Sequence, residues 1–171
     1  DNGLNNTMTA NASPKVISAN PFATQYVANT PYYSTQFNGS TDYLSLPSPF
    51  LTLGTNDITV ECWIYPTSIA GTASPVVKLY SSGTNNPLIE IRMASGVITG
   101  YCGTNAGYQT VGGNTTLTIN NWYHIALTRT SGLFRMFVNG VLQSTTTTYS
   151  GSYTVFDTSR IGTDQIASQF R

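Results

Sequence analysis

The chain has 171 residues, enough for one domain around a single hydrophobic core. Seven basic side chains balance seven acidic ones, only 8% of residues are charged and the pI is about 6.7, which excludes a basic nucleic-acid binder and an electrostatic membrane binder. With 40% hydrophobic and 12% aromatic residues, 11 of them Tyr, it is also not a disordered chain; its polarity comes from hydroxyls and amides, as on half-buried β surfaces.

Residues 1–31 are rich in Asn, Thr, Ala and Pro without a sustained period, and read as an extended N-terminal arm with one short strand at Lys15-Val16-Ile17. The domain proper takes residues 32–171. From Tyr32 onward strand and turn signals recur about every ten residues, and no window repeats apolar residues at helical spacing, so the pattern predicts a two-sheet antiparallel β-sandwich with almost no helix. Thr35–Phe37 and Asp42–Leu46 flank Asn38-Gly39-Ser40 as a predicted hairpin. In Asp57–Tyr65, Ile58, Val60, Cys62 and Ile64 form an apolar face opposite Thr59, Glu61, Trp63 and Tyr65, and Pro66 ends the pairing.

Pro75–Tyr80 is the next strand, followed by a hairpin of Leu88–Met93 and Val97–Tyr101 around Ala94-Ser95-Gly96, with Ile89, Ile91 and Met93 opposite Glu90 and Arg92. Thr116–Ile119 is predicted as a strand ending at Asn120-Asn121. A meander of Trp122–Thr130, Leu133–Val138 and Val141–Ser144 follows, its last turn at Asn139-Gly140, where a type I′ turn needs φ > 0 at both central residues. Cys62, in phase with its apolar neighbours, reads as a small buried hydrophobe; Cys102 is given no role, and the pair reads as two thiols rather than a bridge. No apolar stretch approaches the roughly 20 residues of a membrane-spanning helix, and no export signal is visible. The opening Asp1 suggests a piece of a longer polypeptide.

Trp122-Tyr123-His124-Ile125-Ala126-Leu127-Thr128-Arg129, then Leu133-Phe134-Arg135-Met136-Phe137-Val138-Asn139-Gly140, resemble the laminin-G-like, concanavalin-A-like jelly-roll family. Phe37-Asn38-Gly39-Ser40-Thr41-Asp42-Tyr43-Leu44 and Asp57-Ile58-Thr59-Val60-Glu61-Cys62-Trp63-Ile64 are similar to two further motifs of that family, in the same order, over residues 36–162. The opening, with Asp1-Asn2-Gly3, Asn5-Asn6-Thr7 and Pro21-Phe22, resembles the lead-in of such domains in marine bacteriophage structural proteins. The family's usual lead strand and its closing Gly-Tyr-Ile-Asp-x-Val-Arg-Ile strand have no counterpart here. The edge this leaves is expected to be covered by the arm folding back or by a neighbouring chain, with the neighbour preferred because the arm is rich in Pro and Asn.

Glycoside hydrolases of this fold carry Glu-x-Asp-x-x-Glu on one strand; here Trp63 stands where the Asp would be, and the only glutamates are Glu61 and Glu90. No catalytic residue is therefore assigned, and the glutamates are expected to pair with Arg92 or Arg135. His124, the single histidine, reads as a hydrogen-bonded sheet residue. The resemblance implies Ca²⁺ as the one candidate cofactor, with Asp42, Asp57, Asp157 and Asp164 beside strand ends as its candidate ligands, although their spacing forms no loop motif. The face opposite the apolar side of 58–64 offers Trp63, Tyr65 and Glu61, with Arg92, Arg135 and Phe137 expected on neighbouring strands. That mixture suits a glycan, or alternatively a covering loop or subunit.

The resemblance implies a non-enzymatic structural or adhesion module of a phage virion, in an appendage, fibre or decoration protein. Its expected partners are other virion proteins, copies of itself and host-surface glycans, with neither nucleic acid nor membrane. The alternative is a secreted bacterial polysaccharide-binding or adhesin module.

Overall fold

The computed structural model describes residues 7–21, 33–71, 73–81, 89–104 and 107–162. Among these are sixteen strands and no helix, hence none long and apolar enough to cross a membrane. In chain order the strands are β1 (Thr9–Asn11), β2 (Lys15–Ile17), β3 (Ser34–Gln36), β4 (Tyr43–Ser45), β5 (Leu51–Gly54), β6 (Ile58–Ile64), β7 (Ser74–Leu79) and β8 (Ile89–Ala94). They continue with β9 (Val97–Thr104), β10 (Gly107–Thr116), β11 (Tyr123–Thr130), β12 (Leu133–Val138), β13 (Val141–Leu142), β14 (Thr147–Thr148), β15 (Tyr153–Phe156) and β16 (Arg160–Ile161). A seven-stranded sheet runs β1-β4-β16-β7-β8-β9-β10, and a five-stranded sheet runs β13-β12-β11-β6 with β14 also on β12. Two ribbons, β5 with β15 and β2 with β3, complete the antiparallel set.

The core lies between the two large sheets because period-two alternation aims one face of each at the other. Val77, Ile91, Gly100 and Val111 are in register across the seven-stranded sheet, and Ile125, Leu127, Phe134 and Met136 face them from β11 and β12; all are buried. A Cβ on Gly100 would come 2.9 Å from Leu127 Cδ1, so this small residue lets the sheets close.

The apolar phase of 58–64 is realised: Ile64 is buried and Ile58, Val60 and Cys62 pack on the core, while Thr59, Glu61 and Trp63 are exposed. Three of the hairpin turns also form. Ser95-Gly96, Ser131-Gly132 and Asn139-Gly140 all have positive φ at both positions, 49° and 77° in the last. A Cβ on Gly140 would meet nothing within 4 Å. Gly140→Val should therefore lower stability by backbone strain alone, about 1–3 kcal/mol by denaturant unfolding; an unchanged midpoint would mean that the turn relaxes without cost.

Four expectations change. Thr35–Phe37 and Asp42–Leu46 do not form a hairpin: β3 pairs with β2, whereas β4 lies between β1 and β16 in another sheet. The turn exists, with φ of 66° at Gly39, but side chains hold it in place of a ladder. Asn38 Oδ1 accepts from the backbone N–H groups of Ser40, Thr41 and Asp42 at 2.8, 2.9 and 3.1 Å. Asp42 accepts from Asn38 N at 3.1 Å and Ser13 N at 3.0 Å. Secondly, the longest strand, β10, escapes the period-two pattern because Gly112 and Gly113 have positive φ and the register shifts between Gly112 and Thr116. The strand expected at Thr116–Ile119 is only its end: Leu117 drops into the core, and its N–H donates to Gly96 O at 2.8 Å.

Thirdly, the arm contributes two strands, and β1 pairs with β4 to form one edge of the seven-stranded sheet. Fourthly, Glu90 alternates with the core residues of β8 yet is only 3% exposed.

Both cysteines are free thiols on inner faces, Cys102 fully buried. Burial, then the Glu61 charge, pushes the Cys62 thiol up to about 12, and burial pushes Cys102 up to about 11. The folded state therefore holds these protons more tightly than the unfolded chain. Their contribution is present below about pH 9 and is lost as pH rises toward 11 and 12. Neither thiol should react with a disulfide reagent at neutral pH until the protein is unfolded. The alkaline loss of stability should be smaller in a Cys62→Ala/Cys102→Ala variant, and an equal loss would contradict this assignment.

Candidate functional site

The outer face of the five-stranded sheet is built in cross-strand rows. Register places Trp63 opposite His124, Glu61 opposite Ala126 and then Phe137, and Thr59 opposite Thr128 and then Arg135. The Trp63 and His124 ring centroids are 5.2 Å apart, tilted by 51°. One step further, Tyr65 and Trp122 are 5.3 Å apart, tilted by 54°. Trp63 is 42% and Tyr65 37% exposed, although each packs one side on a neighbouring ring. His124 Nε2 is 3.6 Å from Glu61 Oε2, bringing an imidazole and an exposed carboxylate beside the rings. The backbone beneath is fixed: His124 N donates to Asn139 Oδ1 at 2.8 Å, and Asn139 N donates to His124 O at 2.8 Å. Rings standing on a paired sheet present a flat apolar surface at little ordering cost, with hydrogen-bonding groups at its margin.

Of the six residues expected here, Trp63, Tyr65 and Glu61 come together on β6 and just beyond its end, and half-buried Arg135 and Phe137 share the face across β11. Arg92 does not. It lies on β8 of the other sheet, because the β8–β9 hairpin joins β7 rather than β6. Trp122 and His124 are the members that sequence reasoning missed. They alternate with the inward Tyr123 and Ile125, but only the β6–β11 register brings them beside Tyr65 and Trp63.

Arg92 belongs to a second polar and aromatic cluster, on the outer face of the seven-stranded sheet. In one row stand Arg160, Lys78, Glu90, Tyr101 and Thr110, contributed by β16, β7, β8, β9 and β10. Arg92 Nε lies 3.1 Å from Glu90 Oε1, an ion pair whose N–H is not aimed for a hydrogen bond. Its guanidinium carbon is 3.8 Å from the centroid of the Tyr101 ring, and Tyr108 meets that ring edge-on at 6.4 Å. Burial, then the Glu90 charge, raises the Tyr108 hydroxyl above its usual range. Glu61 and Glu90 thus occupy the outer faces of opposite sheets and cannot flank one glycosidic bond as acid and nucleophile.

Each described candidate calcium ligand has a hydrogen-bond partner within the protein. Asp42 caps the Asn38 turn, Asp57 accepts from Ser131 N at 2.7 Å, and Asp157 accepts from Thr158 Oγ1 at 3.0 Å. Asp164 lies outside the described residues. Among those described, no three His, Cys, Asp or Glu side chains come together to hold a metal ion.

Residues 38–171 match the family profile described as the Concanavalin A-like lectin/glucanases superfamily. No curated protein sequence matches the chain. Among solved structures, domain 4 of AbnA, a GH43 extracellular arabinanase from Geobacillus stearothermophilus in complex with arabinotriose, is similar with a TM-score of 0.70 and 14% identity, over 97% of this chain and 77% of that one. Domains LG4-5 of the mouse laminin α1 chain are similar with a TM-score of 0.59 and 16% identity, over 75% of this chain and 36% of that one. The carbohydrate-binding module CBM66 from Bacillus subtilis has a TM-score of 0.50 and 10% identity, over 90% of each chain. At these identities the likeness is one of fold.

Proposed function

We propose that this chain, which belongs to the Concanavalin A-like lectin/glucanases superfamily, is a non-enzymatic glycan-binding module whose ligand lies across Trp63 and Tyr65. The observation that carries this is the double ring pair, Trp63 with His124 and Tyr65 with Trp122, standing open on a rigid sheet beside the Glu61 carboxylate. A sugar ring has an apolar C–H face and a hydroxyl edge. Stacking serves the first, and Glu61, His124 and Arg135 serve the second. The similar arabinanase domain holds arabinotriose and CBM66 is a carbohydrate-binding module, which supports the same class of ligand. Separation of the two glutamates onto opposite faces supports binding without hydrolysis.

The setting we propose is a phage virion, where an appendage, fibre or decoration protein would use this face to hold a host-surface glycan and would assemble with other virion proteins or copies of itself. It is supported by the resemblance of the opening residues to phage lead-in segments. A second setting, a secreted bacterial polysaccharide-binding module, is favoured by likeness to a domain of an extracellular arabinanase. Peptides of this chain in purified phage particles would support the first, and their presence in particle-free culture supernatant the second.

Affinity electrophoresis through gels containing a neutral polymer, arabinan or laminarin, tests the binding. At least one polymer should retard the protein, and Trp63→Ala/Tyr65→Ala should weaken that retardation by about tenfold, equivalent to about 1.4 kcal/mol, with the fold unchanged. No retardation by any polymer, or equal retardation of the variant, would overturn the assignment.

A further inference from the structure

We infer that the outer face of the seven-stranded sheet is a second ligand site, taking a saccharide that carries a carboxylate or sulfate group. This goes beyond the Trp63 face and uses none of its residues. The first ground is the placement of charge. The whole chain is neutral, with seven basic residues, yet Arg160, Lys78 and Arg92 share this one face, where Glu90 is the single carboxylate among the described residues in their row. Glu90 is buried and engaged by Arg92, and Arg160 makes no ion pair among the described residues.

The second ground is how these cations are held. Each rests on a tyrosine: Arg92 over Tyr101 at 3.8 Å, Arg160 over Tyr43 at 4.6 Å and Lys78 over Tyr80 at 5.4 Å from the ring centroid. A cation seated on a ring has already lost much of its rotamer freedom and is preorganised for an anion. The rings also offer apolar surface beside the charge, the combination an acidic sugar presents in reverse.

The third ground is shape and access. The row Arg160, Lys78, Glu90, Tyr101, Thr110 crosses five adjacent strands at about 4.8 Å per step, an elongated track suited to an extended ligand. Tyr108 and Thr110 are exposed, and Lys78, Arg92, Tyr101 and Arg160 are half-buried, so solvent reaches the side chains on either side of the buried Glu90. Three cations in a neutral protein fit occasional charges along a saccharide far better than the dense phosphates of nucleic acid.

The test is isothermal titration with polygalacturonate for the carboxylate, dextran sulfate for the sulfate, and neutral dextran, at low and high salt. The protein should bind one or both anionic polymers and not dextran, with affinity falling about tenfold or more at high salt. Lys78→Gln/Arg160→Gln, which leaves the Glu90–Arg92 pair intact, should lose about tenfold as well, with an unchanged melting temperature showing that the fold survives. Trp63→Ala/Tyr65→Ala should bind the anionic polymer as the wild type does. Absence of anionic binding, full binding by the Lys78/Arg160 variant, or loss only in the Trp63/Tyr65 variant would each overturn the inference. The last result would leave the Trp63 face standing.

Discussion

Arg129→Met should cost about 3–5 kcal/mol of stability, enough to lower Tm by roughly 10 °C in a domain of this size. Arg129 is 1% exposed and belongs to the inward phase of β11, where Tyr123, Ile125 and Leu127 precede it. Among the described residues no carboxylate pairs with its charge; instead it donates to four backbone carbonyls. Nη1 reaches Asn56 O at 3.0 Å and Gly54 O at 3.4 Å, and Nη2 reaches Gly151 O at 2.9 Å and Tyr149 O at 3.1 Å. The guanidinium also lies against the Tyr153 and Phe134 rings, with centroids at 5.2 and 5.8 Å. One side chain therefore ties the end of β5 to the segment leading into β15. Met fills a similar volume but satisfies none of the carbonyls, and Lys lacks the planar fork that serves two segments at once. Denaturant unfolding measures the loss; a cost below about 1 kcal/mol would mean that water replaces the guanidinium.

Gly112→Ala should be nearly as damaging, for two separable reasons. Its φ of +81° strains any residue with a Cβ, at about 1–3 kcal/mol. That Cβ would also sit 2.7 Å from Met136 Sδ and 3.1 Å from Met136 Cβ, and overpacking of this kind costs about 1–3 kcal/mol more. Met136 Sδ can swing away, whereas Met136 Cβ is fixed to its strand. The position is further held by Gly112 N donating to Thr145 O at 2.7 Å. Met136→Ala in the same chain removes the Sδ contact but keeps the Met136 Cβ contact and the strain, so the double variant should be less destabilised than the sum of the single changes. Strict additivity would show that the Sδ contact costs nothing.

Local chemistry made much of this structure legible. Alternation in 58–64 gave the inner and outer faces of β6, and Asn-Gly and Ser-Gly pairs marked turns because φ > 0 is a local demand. Strand partnership is not local, and the errors collect there. β4 and β3 flank one turn yet join different sheets, and Arg92 has the right alternation on the wrong sheet. β10 was hidden by a glycine bulge that breaks the period. Arg129 left a readable sign, a cation in the core phase of a strand, but its acceptors are carbonyls from segments far along the chain. Of the Trp63 face, the β6 residues could be read from their period. Trp122 and His124 could not, since only the register of β11 places them there.

Trp63 and Trp122 are the only tryptophans in the chain, and both stand on the proposed glycan face. Intrinsic tryptophan emission therefore reports on that face and on no other. The most direct measurement is an emission titration with whichever polysaccharide retards the protein on affinity gels. A ligand stacked across Trp63 and Tyr65 should shift emission in a saturable way, at the concentrations that produce retardation, and the shift should be strongly reduced in Trp63→Ala. Binding that leaves the emission of both tryptophans unchanged would contradict glycan recognition at this face.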